Sequence, residues 1–328
     1  MKNSYRSMMA AFAFCSMSAV SVAGQPLTPD VAASVGIPNS SGKFDFLRID
    51  SKRQRLLAAH EKDGTSDFID LRKNALITRL KVGTAVDTAM DPESNFYYVS
   101  VQEGERVAVV DAATLTEVKS IKMAGPTDAI IYEPKNHMVY VTHDEGAEVW
   151  VIDPKAAKVV ATVAIPGVPE FMEYDESTDR IYLNIKNKDL VAVIDPATNK
   201  VIARWPTAPA TQPHGLAVDA AHHRVFSAGD NGKLVVIDTK TGSVTDSVGI
   251  VPKVDQIAFG ASSGLVYCAG QDKLSVVRTT GGKVLLLGDV ATAASARNVA
   301  VDPATQAVWT TYTDGKSSFA KSWKAPTP

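Results

Sequence analysis

The chain has 328 residues, of which 45% are hydrophobic and 21% are charged, and its formal net charge is −2 at pH 7. The hydrophobic share is enough for a sizeable core. The slight excess of acid argues against the broad basic surface of a nucleic-acid binder, so nucleic acid is not an expected partner.

Residues 1–23 have the pattern of a secretory signal peptide. Lys2 and Arg6 supply the positive charge, residues 8–20 are apolar, and Ser21-Val22-Ala23 fits the small-x-small pattern of a cleavage site. This apolar run is well short of the ~20 residues that a spanning helix needs. We therefore expect a periplasmic or secreted protein, cleaved near Ala23, with no transmembrane segment in the mature chain.

Cleavage would change both the charge and the cysteine content. It removes two basic residues and no acid, which leaves 32 basic against 36 acidic residues and a net charge of −4. Cys15 leaves with the signal peptide, so Cys268 remains alone and no internal disulfide can form. Cys268 lies in an apolar run, and we expect its thiol to be buried.

The remaining sequence repeats one unit that is clearest at residues 126–167. Four short apolar strands are predicted there, at residues 128–132, 138–142, 148–152 and 159–165, with turn-forming residues between them. Seven copies follow one another at spacings of 41 to 44 residues, measured at the turn after each first strand: Asp50, Asp91, Glu133, Asp175, Asp219, Gly260 and Asp302. A repeat of ~40–45 residues with four strands is typical of propeller blades. We predict an all-β, seven-bladed β-propeller with four-stranded blades, as a single domain over residues 24–328.

The seventh copy lacks a fourth strand, because only five residues follow Trp323. Residues 32–38, near the other end of the chain, match residues 160–166, which form the outer strand of the third copy. We predict that residues 31–37 complete the last blade and close the ring by pairing the two chain ends. The tail before them, residues 24–30, is expected to be flexible.

The repeat carries a recognisable motif. Tyr140-Val141-Thr142-His143, followed by Val151-Ile152-Asp153-Pro154, resembles the YVTN repeat of the YncE-like seven-bladed propellers. The resemblance covers nearly the whole mature chain, although copies such as Ser227-Ala228-Gly229 depart from the motif. It implies a secreted or periplasmic WD40-like propeller, in a family whose members usually have no assigned reaction and for some of which nucleic-acid binding has been proposed.

One end of the predicted channel gathers polar side chains from every blade. Five residues before each first-turn position, the copies carry Asp45, Val86, Asp128, Glu170, His214, Asp255 and Arg297, and Asp87 follows Val86. The ends of the second strands add His60, Gln102, His143, Asn184, Asp230, Gln271 and Tyr312. We expect these two rings to surround the channel mouth. The alternative is that such residues only hydrogen-bond the neighbouring backbone and join the blades.

The favoured functional hypothesis is a non-enzymatic, monomeric binding or scaffold propeller. Crowded carboxylates repel one another and raise one another's pKa, and a bound cation or cationic group would reduce this repulsion. Concave sites with converging polar groups are the usual ligand sites. A small molecule, protein or peptide would sit over the following residues: Asp45, Asp87, Asp128, Glu170, His214, Asp255 and Arg297.

A hydrolase is the first alternative. Seven-bladed lactonases of the phosphogluconolactonase-like group use Glu, His and Arg at the mouth, and Glu170, His214 and Arg297 are similar in type. In that hypothesis Glu170 or His214 activates water, while Arg297 stabilises the developing oxyanion.

A divalent metal cofactor is the second alternative. His60, His143 and His214 would bind it with Asp45 or Asp128, since imidazole and carboxylate together suit zinc or copper. These histidines lie on alternate blades, however, and the ligands of one ion must meet about 2.0–2.2 Å from it.

Overall fold

The computed structural model describes residues 25–293 and 295–325, and within them twenty-nine strands and two short 3-10 helices. The strands form seven sheets. The predicted signal peptide, residues 1–23, lies outside the described residues. No helix in the described part of the chain is long and apolar enough to cross a membrane.

The first three blades follow two N-terminal strands, β1 (Gln25–Leu27) and β2 (Val31–Ile37). Blade 1 contains β3 (Leu47–Asp50), β4 (Arg55–His60), β5 (Thr65–Asp70) and β6 (Ala75–Lys81). Blade 2 contains β7 (Ala85–Asp91), β8 (Phe96–Val101), β9 (Arg106–Asp111) and β10 (Thr116–Lys122). Blade 3 contains β11 (Thr127–Glu133), β12 (Met138–His143), β13 (Glu148–Asp153) and β14 (Lys158–Ala164).

The other four blades continue in the same order, and blades 4 and 5 each include a 3-10 helix, Lys186–Lys188 and Ala220–His222 respectively. Blade 4 contains β15 (Pro169–Asp175), β16 (Arg180–Ile185), β17 (Leu190–Asp195) and β18 (Lys200–Pro206). Blade 5 contains β19 (Pro213–Asp219), β20 (Arg224–Gly229), β21 (Lys233–Asp238) and β22 (Val244–Gly249). Blade 6 contains β23 (Val254–Gly260), β24 (Leu265–Gly270), β25 (Lys273–Thr280) and β26 (Lys283–Ala291). Blade 7 contains β27 (Ala300–Val301), β28 (Val308–Thr313) and β29 (Ser318–Trp323).

The seven sheets form a ring in chain order. The first strand of each blade contacts the first strand of the next, from β3 through β7, β11, β15, β19 and β23 to β27, and β27 contacts β3. Within a blade the strands pair antiparallel with their neighbours in sequence. This architecture is a seven-bladed β-propeller and confirms the fold predicted from the repeat.

The last blade is completed from the N-terminus, as predicted. Strand β2 pairs antiparallel with β29, with Val31 opposite Trp323 and Ile37 opposite Ser318. Val35 and Ile37 are buried against the core that blades 1 and 7 share. The two ends of the chain therefore close the ring.

Residues 25–27 correct the prediction of a flexible tail. Strand β1 pairs in parallel with β26, with Gln25 opposite Gly288 and Leu27 opposite Val290, so the sixth sheet has five strands. The outer edge of β26 offers unpaired backbone groups to any extended segment. Leu27 also packs against the core between blades 6 and 7, which gives this short strand an apolar contact as well.

Aromatic side chains of the second strands fill the spaces between neighbouring blades. Five tyrosines in these strands are almost completely buried: Tyr97, Tyr98, Tyr140, Tyr182 and Tyr267. The Tyr97 hydroxyl donates to Asp50 Oδ2 of blade 1 at 2.6 Å, and the Tyr140 hydroxyl donates to Asn199 Oδ1 of blade 4 at 2.7 Å. A buried phenol with a bonded hydroxyl gives both apolar contact and a fixed orientation, so Tyr97 and Tyr140 each hold their blade in register with its neighbour.

Side chains replace missing backbone pairing where the ring closes, because β27 has only two residues. Gln256 Nε2 donates to Leu47 O at 2.9 Å, and its Oε1 accepts from Leu47 N at 3.1 Å and from Val299 N at 3.2 Å. Asn298 Nδ2 donates to Asp45 O at 3.0 Å. These bonds join blades 6, 7 and 1 and fix Asp45 at the entrance to its strand.

Cys268 lies in β24 and is buried without a disulfide partner among the described residues. Burial raises the pKa of its thiol well above the ordinary value. The thiol is therefore a small apolar core group, as expected from the apolar run around it.

Candidate functional site

Acidic residues that enter the first strands of several blades meet at one end of the channel. Burial, and then the nearby Asp255 carboxylate, raise the pKa of Asp45 well above its ordinary value. Burial, and then Glu170 and Asp45, do the same to the pKa of Asp128. We call this group, Asp45, Asp128, Glu170 and Asp255, the acidic mouth.

Three of these four carboxylates have a cation beside them. Lys186 Nζ lies 2.6 Å from Glu170 Oε1, and Arg297 NH2 donates to Asp255 Oδ1 at 3.0 Å. Lys43 Nζ lies 4.0 Å from Asp45 Oδ2, although it is closer to Glu61, at 2.6 Å.

Asp128 differs from the other acids of the mouth. Among the ion pairs and hydrogen bonds found within residues 25–293 and 295–325, none involves its carboxylate. The groups that act on its pKa are burial and four acids, which all raise it: Glu170, Asp45, Asp144 and Asp87. A half-buried carboxylate surrounded by acids favours the approach of a positive charge.

His214 lies between two carboxylates at the edge of the mouth. Its Nε2 is 3.6 Å from Glu170 Oε1, and its Nδ1 is 3.4 Å from Asp230 Oδ1 and 3.0 Å from Gln212 O. Burial raises the pKa of Glu170, while His214 and Lys186 oppose that rise. The structure thus brings two of the predicted catalytic residues, Glu170 and His214, into one chain of polar groups.

Arg297, the third predicted catalytic residue, pairs with Asp255 rather than with Glu170 or His214. Its side chain is 40% exposed. A guanidinium that is already paired with a carboxylate is less available to stabilise an oxyanion, so this contact weakens the hydrolase hypothesis.

Two residues of the second predicted ring, Asn184 and Gln102, join neighbouring blades. Asn184 is fully buried, and its Nδ2 donates to His214 O at 2.8 Å and to Gly215 O at 3.0 Å, which links blade 4 to blade 5. Gln102 Nε2 donates to Asp144 Oδ2 of blade 3 at 2.7 Å. These contacts match the alternative in which such residues stabilise the assembly of the blades.

The three histidines proposed as metal ligands do not meet. His60 is fully buried in blade 1, with Nδ1 2.8 Å from Asp67 Oδ2 and Nε2 3.1 Å from Gly42 O, so both ring nitrogens have partners. His143 stacks on Trp150 with ring centroids 4.7 Å apart. No group of three or more His, Cys, Asp or Glu side chains is placed to hold a metal ion in the described ranges. The histidines belong to separate local networks because they lie on blades 1, 3 and 5.

Arg48 was not identified from the sequence, yet it crosses the channel. Its Nε and NH2 donate to the two carboxylate oxygens of Asp87 at 2.9 and 2.8 Å, and its NH1 donates to Glu173 Oε1 at 2.6 Å. Its guanidinium carbon lies 4.4 Å from the ring centroid of Phe171. Asp87, which was predicted as a ligand-binding residue, is fully buried in this bridge between blades 1, 2 and 4.

A sequence signal for this bridge does exist. Two residues before each first-turn position, five copies carry small or apolar residues: Ala89, Ile131, Ala217, Ala258 and Ala300. Blades 1 and 4 carry Arg48 and Glu173 at the same position. Two opposite charges in an otherwise apolar column predict an ion pair across the channel.

Two cavities lie in the channel beyond this bridge, toward the face opposite the acidic mouth. Their volumes are about 520 and 250 Å³, and both are lined by Arg48, Met90, Glu173 and Tyr174. The larger cavity extends to exposed turn residues such as Ser51 and Glu176. The Arg48 bridge therefore stands between these cavities and the acidic mouth.

Comparisons with known proteins give similarity in fold. A family model described as the cytochrome D1 heme domain matches residues 106–218, roughly a third of the chain. No curated protein sequence matches. Kuenenia stuttgartiensis hydrazine synthase is 14% identical, with a TM-score of 0.75 over 89% of this chain and 98% of that one. A chain of the mitotic checkpoint complex is 11% identical, with a TM-score of 0.79 over 98% and 99% of the two chains.

The WD40 repeats of RRP9 are also similar, at 8% identity and a TM-score of 0.76 over 91% of this chain and 99% of that chain. Identities this low carry no information about ligands.

The match to a heme domain requires a test of whether the channel fits heme. Axial ligands of heme iron are His, Cys, Met or Tyr, and the described residues that line the two channel cavities include neither His nor Cys. The Tyr174 hydroxyl donates to Asp179 Oδ1 at 3.0 Å, and the Tyr132 hydroxyl, in the lining of the smaller cavity, is hydrogen-bonded to His137 Nδ1 at 2.9 Å. Among the described lining residues this leaves Met90. His214 lies at the acidic mouth, where carboxylates would repel the propionates of heme. The residues present do not fit heme, and the similarity is to the seven-bladed propeller fold.

Proposed function

We propose that this protein is a non-enzymatic binding propeller whose acidic mouth takes a cationic group from a small molecule or a protein partner. The observation that carries the proposal is Asp128, a carboxylate that faces other acids while its three neighbours in the mouth each have a cation. A ligand ammonium or guanidinium group would supply the missing positive charge.

An organic cation fits this site better than a metal ion. A divalent metal needs several ligands within about 2.0–2.6 Å of one point, and the described residues offer no such group. A lysine or arginine side chain of a partner, or a polyamine, needs only one or two carboxylates at hydrogen-bonding distance. Asp128 and Asp45 supply these.

The proposal is tested by titrating the purified protein with spermidine and hexa-arginine, with calcium and zinc chloride as metal probes, in a calorimeter at low salt. We expect the organic cations to bind and Asp128→Asn to weaken that binding by about tenfold, the usual effect of one charge-assisted hydrogen bond. Glu93→Gln changes an exposed acid on the opposite face and should leave the affinity unchanged. Equal affinities in the two variants, or no binding of any organic cation, would refute the proposal.

A lactonase-type hydrolase is the second candidate, and one observation favours it. His214 lies between the Glu170 and Asp230 carboxylates, at 3.6 and 3.4 Å, as a general base with an orienting partner would. A panel of lactones tests this candidate. Hydrolysis that disappears in Glu170→Gln would establish it, and the absence of turnover with every lactone would remove it.

We further propose that the protein is exported and belongs with the YVTN-repeat propellers. The support is the sequence alone: the pattern of residues 1–23 and the motif at residues 140–154. Expression in a Gram-negative host, followed by fractionation and N-terminal sequencing, should find a periplasmic chain that begins at Gly24. A cytoplasmic chain that retains residues 1–23 would contradict this.

A further inference from the structure

We propose that the channel contains a second binding pocket, on the far side of the Arg48 bridge from the acidic mouth, for a small amine with an apolar body. The pocket is the larger channel cavity, of about 520 Å³. This volume lies within the ~300–1,000 Å³ typical of small-molecule sites. The inference does not depend on the function proposed for the acidic mouth.

The walls of the pocket are apolar. They are formed by first-strand residues from around the ring, which include Ile49, Val218, Ile257, Phe259 and Val301. Four of these five side chains are only partly buried, although they belong to the innermost strands. Apolar surface that faces a cavity inside the ring would be covered by an apolar ligand, which provides the hydrophobic part of the affinity.

The inner end of the pocket is charged. Arg48 is shared between two acids, Asp87 and Glu173, so the bridge as a whole carries one more negative than positive charge. Asp87 is fully buried behind Arg48, whereas the Glu173 side chain is 31% exposed and lines the cavity. Glu173 Oε1 accepts from Arg48, which leaves its second oxygen to accept from a ligand.

Charge complementarity therefore selects the head group of the ligand. Apart from Arg48, the charged residues among the described lining of the cavity are all acids, Glu173, Asp175 and Glu176. Asp175 is buried, and its carboxylate accepts from Ser177 and Thr178 of its own turn. An ammonium group can donate to Glu173, whereas a carboxylate head would be repelled there.

Aromatic residues strengthen this preference. Phe171, Tyr174 and Phe259 all contribute to the lining, and the face of an aromatic ring attracts a cation within about 6 Å. Phe171 already lies against the Arg48 guanidinium, so Tyr174 and Phe259 are the rings available to a ligand. An aryl-alkyl amine would use the apolar wall, the rings and Glu173 together.

The experiment compares three probes of similar size on the purified protein by ligand-observed NMR and calorimetry: 2-phenylethylamine, 2-phenylethanol and 3-phenylpropionate. We expect the amine to bind at least about tenfold more tightly than the alcohol, and the carboxylate to bind more weakly than both. Equal affinities for amine and alcohol, or no binding of any probe, would overturn the proposal.

Four variants locate the site. Glu173→Gln should remove the preference for the amine, while Glu176→Gln, which changes an exposed acid at the rim of the same cavity, should keep it. Ala258→Phe fills the cavity without changing any charge and should abolish binding even if Glu173→Gln folds poorly. Asp128→Asn weakens any binding of the amine at the acidic mouth and should leave the binding that depends on Glu173 unchanged. Complete loss of amine binding in Asp128→Asn, or Glu173-dependent binding that persists in Ala258→Phe, would place the ligand elsewhere and refute the inference.

Discussion

Replacing Ile37 with alanine measures how much the closing strand contributes to stability. Ile37 is 1% exposed in the core between blades 1 and 7, whereas Val31, six residues earlier in the same strand, is 53% exposed. Truncating a buried isoleucine to alanine typically costs about 2–5 kcal/mol, because contacts are lost and a cavity remains. Truncating an exposed valine usually changes the free energy of unfolding by less than about 0.5 kcal/mol.

Both variants can be compared by urea unfolding and by thermal melting followed by circular dichroism. One kcal/mol shifts the midpoint by roughly 2–4 °C in chains of 150–250 residues, and somewhat less is expected in this longer chain. We expect Ile37→Ala to lower the midpoint by about 3 °C or more and Val31→Ala by less than about 2 °C. If both variants have the same melting temperature as the wild type, β2 does not hold the ring closed, and the reasoning is wrong.

Three further predictions concern charged and reactive groups. Arg48→Met should lower the free energy of unfolding in urea by about 3–5 kcal/mol, because it leaves the buried Asp87 without its cation. If the effects of Arg48→Met and Asp87→Leu on this free energy simply add in the double variant, the two residues do not interact and the pairing is contradicted. Asp128→Asn should raise the melting temperature at pH 7. The pKa of Asp128 is raised in the folded state, so the wild-type protein loses stability as the pH rises through that pKa, whereas the variant does not. Below pH 3.8 the carboxyl is protonated in both the folded and the unfolded wild-type protein, and the two melting temperatures should be equal. Cys268 should react with a thiol reagent only after unfolding in urea, and rapid reaction of the native protein would show that the thiol is not buried.

The fold was predictable because every copy of the repeat has to meet the same packing requirements. Each blade needs apolar residues on both faces of its sheet and turn formers between its strands, so the pattern recurs at nearly constant spacing. Because seven copies can be aligned, an error in predicting one strand is corrected by the other copies. The closing strand followed from the missing fourth strand of the last copy. Strand β1 could not be found this way, since it has three residues, pairs in parallel and corresponds to nothing in the other blades.

The candidate site was only partly predictable. Symmetry brings equivalent positions together, which is why Asp255 helps to raise the pKa of Asp45, and Asp45 that of Asp128. Symmetry does not determine which partner a side chain takes. His60 is hydrogen-bonded to Asp67 of its own hairpin, a local contact that no comparison between blades reveals. Arg48 of blade 1 extends beyond the adjacent blade 2 and contacts Glu173 of blade 4.

The pairing of β2 with β29 also sets the order of events during synthesis. Val31 cannot pair until Trp323 has been synthesised. At about 5–20 residues per second, synthesis of the chain between them takes roughly 15–60 s. For that time blade 7 cannot form, and β2 has an exposed edge and no partner. The inner blades can fold as they emerge, but the ring itself closes only after β29 has been synthesised. A stalled or truncated chain would therefore present an open arc of blades with a free strand at its start, a form suited to pairing with a second chain or to recognition by a chaperone.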